Sequence, residues 1–129
     1  MVAIDTNIIV RFLTRDHEAQ YKRAYKVFTS QEIFIPDTVI LETEWVLRYA
    51  YGFQPQDICD AFNKLFGLEN IYLTNPHSVS QAVQWHREGL DFSDALHLSN
   101  SQECEHMYSF DARFAKKAKG LSNCTVLKP

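Results

Sequence analysis

Ile33-Phe34-Ile35-Pro36-Asp37-Thr38-Val39-Ile40-Leu41-Glu42-Thr43-Glu44-Trp45-Val46-Leu47-Arg48-Tyr49-Ala50-Tyr51-Gly52 reads as a strand followed at once by a helix. Ile33-Phe34-Ile35 is a short β-branched and aromatic run, and Pro36 stops it because proline has no N–H to give a ladder. Asp37 or Thr38 then opens a long helix running to Tyr51, and Gly52 is its natural terminator. The same alternation continues in both directions. Upstream, Val2-Ala3-Ile4 reads as a short buried strand. Asn7 is placed to cap a helix through Ile8, Ile9, Phe12 and Leu13, and Asp16 to cap a second with Ala19, Ala24, Val27 and Phe28 on one face.

Downstream, Pro55 suits a first helical position, and Ile58, Phe62, Leu65 and Phe66 form a stripe ending at Gly67. Ile71-Tyr72-Leu73 is the third strand and Asn75-Pro76 a turn. A helix follows with Val79, Ala82 and Val83, ending at Gly89, and another from about Phe92 to Gln102. Met107-Tyr108-Ser109-Phe110 is the fourth strand. A short helix with Phe114, Ala115 and Ala118 ends at Gly120, and Thr125-Val126-Leu127 is a candidate fifth, edge strand. Short strands alternating with helices predict an α/β fold whose mostly parallel sheet of four to five strands is covered on both faces.

The chain has 129 residues, the size of one domain, with no linker, low-complexity stretch or internal repeat; a single domain over 1–129 is expected. The hydrophobic fraction of 46% suits a packed core rather than disorder. A net charge of −3 gives no bulk attraction to nucleic acid or anionic membrane, so any such binding must be local or metal-mediated. Three widely spaced cysteines, Cys59, Cys104 and Cys124, fit reduced thiols better than a disulfide framework. No signal peptide and no membrane-length apolar run is visible, so a cytoplasmic protein without a membrane anchor is expected.

Four acids occupy unusual places. Asp5 ends the first strand, Glu42 interrupts the apolar run of the long helix, Asp94 lies within Asp91-Phe92-Ser93-Asp94-Ala95-Leu96-His97-Leu98, and Asp111 ends the fourth strand. Carboxylates among core-type residues are costly to desolvate unless a cation pairs with them. Acids at the carboxyl ends of parallel strands share the rim where open α/β sheets build their sites. Glu42 stacks with Val39, Trp45, Val46 and Tyr49 and is expected to face inward. Glu44, with Arg48 four residues on, reads as an ordinary surface pair, as do Glu18 with Lys22 and Asp60 with Lys64. Taken singly, Asp5 is explained by a turn and Asp111 by a helix cap. Asp91 is balanced between capping and function. Together the four acids are better explained by one shared hard cation, magnesium or manganese, and metal-assisted hydrolysis.

Asp5-Thr6-Asn7 after the first strand, Leu41-Glu42 before Trp45-Val46-Leu47, the run from Asp91 to His97, and Ser109-Phe110-Asp111 before Arg113-Phe114-Ala115 together resemble a PIN-domain ribonuclease. The resemblance covers essentially the whole chain, and its nearest subgroup is the VapC toxins of bacterial toxin–antitoxin modules. It implies a three-layer α/β/α domain and an endoribonuclease using one or two Mg2+ (or Mn2+) ions. The catalytic metal-binding acids would be Asp5, Glu42, Asp94 and Asp111, with Asp91 accessory and Thr6, Asn7 and Ser109 supporting. It implies an RNA substrate (transfer or ribosomal RNA), a VapB-like antitoxin whose tail covers the acidic pocket, and a homodimer. Trp45, Tyr49, Tyr51 and Phe53 could serve those protein contacts, with core packing their default.

Arg11 and Arg15, soon after Asp5, and Arg113, Lys116, Lys117 and Lys119, soon after Asp111, could grip phosphates; a solvated helix face explains them equally well. Three other readings stand beside this one. An inactive PIN module would bind RNA or protein without cleavage. A phosphatase using Asp5 as nucleophile would want an acid where Asn7 stands. A zinc site from His97, Cys104 and His106 matches no compact zinc spacing.

Overall fold

The computed structural model describes all residues 1–129, in two compact units, Met1–Pro76 and His77–Pro129. The first holds β1 (Val2–Ala3), α1 (Thr6–Thr14), α2 (Glu18–Ser30), β2 (Ile33–Phe34), α3 (Asp37–Tyr49), α4 (Pro55–Phe66) and β3 (Ile71–Tyr72). The second holds α5 (Pro76–Arg87), which starts at the boundary residue, α6 (Phe92–Ser99), β4 (His106–Tyr108), α7 (Ala112–Lys117) and β5 (Thr125–Leu127). All five expected strands form, and every pairing is parallel.

In the first unit β2 is central: Val2 and Ala3 of β1 pair with Ile33 and Phe34, which pair in turn with Ile71 and Tyr72 of β3. Ile33 and Ile35 are fully buried, while β1 is exposed, which corrects the expectation of a buried first strand. As an edge strand β1 has a hydrogen-bonded neighbour in this ladder on one side only. Helix α1 packs on α2 and α3, and Phe12 stacks on Phe28 with ring centroids 4.1 Å apart. The Asn70 amide donates to the carbonyls of Phe28 and Gln31 at 2.7 and 2.8 Å, tying the end of α2 to the approach to β3. Gly52 closes the long helix with a positive φ of 68°, where a side chain would be strained.

Several local expectations change. Asp5, not Asn7, caps α1, and Asn7 lies in its first turn. His17, not Asp16, caps α2 through Nδ1, which accepts from the Gln20 N–H. Asp16 instead accepts from Tyr51 at 2.6 Å, Thr14 at 2.9 Å and Arg11 at 3.2 Å, so a loop carboxylate binds the end of α1 to the residues after α3. Glu18 pairs with Arg15 at 3.0 Å rather than with Lys22. Pro76 opens α5 directly instead of forming a turn, and α6 stops at Ser99.

Helix α3 is rotated from the expected setting. Its buried face is Ile40, Thr43, Glu44 and Leu47. Glu44 is only 2% exposed and holds Arg48 by two hydrogen bonds, so this pair is an interior feature rather than a surface one. Glu42 lies on the exposed side, with Trp45 and Tyr49 at 55% and 63% exposure, so core packing does not explain these two rings. Their centroids are 5.0 Å apart, and the Arg48 guanidinium sits over Tyr49.

In the second unit β4 pairs with β5 from His106–Thr125 to Tyr108–Leu127. Its core comprises Val79, Ala82, Val83, Trp85, Phe92, Ala95, Leu96 and Leu98, with Phe114, Ala118 and Val126. His86 Nδ1 lies 2.7 Å from the Leu90 carbonyl oxygen and fixes the turn between α5 and α6. Cys59 and Cys124 are buried and Cys104 exposed; all three are free thiols. No helix is long and apolar enough to cross a membrane.

Candidate functional site

Three of the candidate acids stand at one kind of place, the junction where the chain enters a helix. The Asp5 carboxylate accepts from the Ile8 N–H through Oδ1 at 3.4 Å. Asp111 Oδ1 accepts from the N–H groups of Arg113 and Phe114 at 3.0 and 3.1 Å. Asp91 Oδ1 accepts from the Asp94 N–H at 3.1 Å and from the Ser93 hydroxyl at 2.9 Å, which makes it the cap of α6. A cap occupies one carboxylate oxygen. For Asp5 and Asp111 the second oxygen accepts no hydrogen bond within the chain, which leaves a donor atom on a side chain already held in place.

The other two acids are placed differently. Glu42, on the exposed side of α3, accepts a hydrogen bond through Oε1 from the hydroxyl of Thr6, 36 residues away in sequence. Thr6 is buried, so it is a fixed anchor for a side chain that would otherwise be free to rotate. Asp94 lies half-buried in the first turn of α6. Its pKa is raised above the ordinary aspartate value by desolvation first, then by the negative charges of Asp91 and Asp111, with His97 opposing. Asp91, Asp94 and Asp111 therefore share one field within the second unit, and Asp5 and Glu42 stand in the first. Ser109 accepts from the Asp111 N–H at 3.0 Å and so supports that loop.

The donor set suits a hard divalent cation. Every candidate ligand is a carboxylate, Asp5, Glu42, Asp94 and Asp111 each keep an oxygen without a hydrogen bond, and Asp94 is disfavoured as an anion by desolvation first and then by its neighbours, which a bound cation would reverse. Neither unit by itself gathers three or more His, Cys, Asp or Glu side chains into a metal-holding group. The zinc grouping of His97, Cys104 and His106, all in the second unit, therefore does not form.

Among the basic candidates, Arg11 is engaged by Asp16, Gln20 and Tyr51, and Arg15 turns off the end of α1 in a left-handed conformation and pairs with Glu18. The shared helix face expected for these two does not exist. Lys117 donates to the Gly89 carbonyl at 3.0 Å, and it is exposed like Arg113, Lys116 and Lys119. Sequence reasoning passed over Arg23 and Lys26, which line a cleft together with Asp5. Their signal was available: neither has an acid three or four residues away on α2, unlike Lys22.

Parallel βα units with carboxylates at the entries to their helices define an α/β protein. The PIN domain family matches residues 2–120, across both units, and the chain belongs to that family. PIN domains are generally nucleases and generally use divalent metal ions. No curated protein matches the chain.

Proposed function

We propose that this protein is a metal-dependent endoribonuclease of the VapC kind, the toxin of a toxin–antitoxin pair, with transfer or ribosomal RNA as substrate. The observation carrying the reading is Asp94, an acid kept half-buried in the first turn of α6, where desolvation first and the charges of Asp91 and Asp111 second disfavour its anion, and where a bound cation would offset both. Asp5 and Asp94 are the central ligands, Asp111 and Glu42 complete the set directly or through water, and Asp91 is accessory. Magnesium or manganese bound there would offset the phosphodiester's charge and lower the pKa of a bound water.

The chain's own groups do the rest. Glu42 orients the attacking water or takes its proton, and Thr6 holds Glu42 in register. The caps at Asp5 and Asp111 limit rotation of the ligating carboxylates, so little ordering is left to occur during the reaction. The subgroup resemblance supports a small antitoxin partner and a homodimer; the exposed Trp45 and Tyr49 are available for either contact.

The test is cleavage of total RNA by the full chain with magnesium, with manganese, and with chelator. Cleavage should require metal, and Asp5→Asn or Asp94→Asn should each lower it by roughly 100-fold or more, the scale of lost transition-state charge stabilisation. Metal-dependent cleavage that survives either substitution rejects the assignment.

A further inference from the structure

We infer that the cleft between α1 and α2 is the track that holds the phosphate backbone of a single-stranded RNA on its way to Asp5. The cleft has a volume of about 720 Å3 and is lined by Asp5, Arg11, Gln20, Arg23, Lys26 and Ser30, among others. This rests on the nuclease reading and adds to it where the substrate lies.

Gln20, Arg23, Lys26 and Ser30 recur at three- and four-residue intervals along α2 and form one stripe on the wall of the cleft. At 1.5 Å per residue the stripe is about 15 Å long. It offers donors of kinds that phosphates accept, the Arg23 guanidinium, the Lys26 ammonium and the Gln20 amide nitrogen, while the Ser30 hydroxyl donates to the Lys26 carbonyl at 2.6 Å. Arg11 adds a third cation from α1, partly offset by Asp16. The Arg23 guanidinium and the Lys26 ammonium make no hydrogen bond or ion pair within the chain, in contrast to Arg11, Arg15 and Arg48, each of which is held by an acid.

The chain as a whole carries −3, yet here three cations stand against two carboxylates, Asp5 and the Asp16 that pairs with Arg11, so the cleft is locally positive. A solvated helix face would need neither a concave wall nor two cations left without counter-charges. An acidic peptide would fit the cations, but it would meet repulsion at the Asp5 end. The row of donors runs toward Asp5, one of the acids proposed to hold the cleavage metal, and on the nuclease reading that favours RNA.

The experiment uses the full chain carrying Asp94→Asn to suppress cleavage, with a labelled oligouridine as probe and salt varied from 50 to 200 mM. Removing two phosphate contacts by Arg23→Gln with Lys26→Gln should reduce the slope of log affinity against log salt by about 1.4, at about 0.7 per contact for single strands. Affinity at 0.1 M salt should fall roughly tenfold. Lys64→Gln on α4, outside the cleft, should match the parent.

In the cleaving protein the same double substitution should raise KM and leave kcat near the parent value. An unchanged slope and KM in a folded double variant overturns the cleft assignment. So does loss of oligoglutamate binding with oligouridine binding intact, which would assign the cleft to an acidic protein partner. If the unsubstituted chain cleaves no RNA with magnesium or manganese, the nuclease reading fails instead, and the two failures are thus told apart.

Discussion

Asp94 shows how one side chain can be costly for the fold and useful to the site. Its pKa is raised by desolvation and by Asp91 and Asp111, so the folded chain binds a proton there more tightly than the unfolded chain does. The sign of the stability effect follows. Between the ordinary aspartate pKa and the raised folded value, the native state holds more protons, so stability falls as pH rises through that window. Above it the full cost persists; below it, with the group protonated in both states, the cost is absent. In chelator, Asp94→Asn should therefore stabilise the protein at neutral pH, and the gain should vanish at acid pH where the parent is already neutral. Asp94 is only half-buried, and solvent screening keeps each like-charge contact to a few tenths of a kcal/mol. Paired thermal melts at neutral and acid pH decide it; a destabilised Asp94→Asn at neutral pH would show that the carboxylate has a structural partner. The four acids could be singled out in the sequence because they end or interrupt apolar runs, although that pattern did not report burial: Asp5, Glu42 and Asp111 are exposed and only Asp94 is half-buried. The anchor of Glu42 could not, because the Thr6 bond spans 36 residues and depends on how α3 is turned.

Helix α3 marks the limit of reading elements from hydrophobicity. Its existence and its approximate bounds were legible from Pro36, the apolar spacing and Gly52. Its rotation was not, because Trp45 and Tyr49 carry the larger apolar surface and yet face outward, while Glu44 is buried with Arg48. A charged pair that is hydrogen-bonded along one helix can enter a core, and a hydrophobic stripe cannot register it. The caps at Asp5 and His17 slipped for a related reason: each neighbours a second residue with similar capping chemistry, Asn7 and Asp16, and only the backbone selects between them. The Glu44–Arg48 pair makes a sharp stability prediction. Arg48→Met removes the counter-charge and two hydrogen bonds of a buried carboxylate and should cost about 3 kcal/mol, whereas Glu44→Leu combined with Arg48→Met should recover most of that loss. Urea unfolding of the single and double variants measures it. A double variant no more stable than Arg48→Met would mean that the pair's hydrogen bonds, rather than the isolated charge, hold α3 in its setting.

On the scale of the whole molecule, the candidate acids are divided between the units: Asp5 and Glu42 belong to Met1–Pro76, and Asp91, Asp94 and Asp111 to His77–Pro129. The family match runs across both. The order of strands and helices was legible because each βα step is written locally; a shared metal site is not local, and no spacing rule in the sequence reports it. Binding of a cation does report it. A ligand that binds only the folded state adds about 2.7 kcal/mol at a hundredfold excess over Kd, on the order of 10 °C in Tm for a chain of this length. Magnesium or manganese should therefore raise the Tm of the parent, and chelator should return it. If one site draws on both units, Asp5→Asn and Asp94→Asn should each remove most of the rise, although their carboxylates stand in different units. A full rise in Asp5→Asn with none in Asp94→Asn would confine the ion to the second unit and leave Asp5 as a helix cap alone. No rise in the parent would remove the metal from the proposal, and the cost borne by Asp94 would then need another compensation.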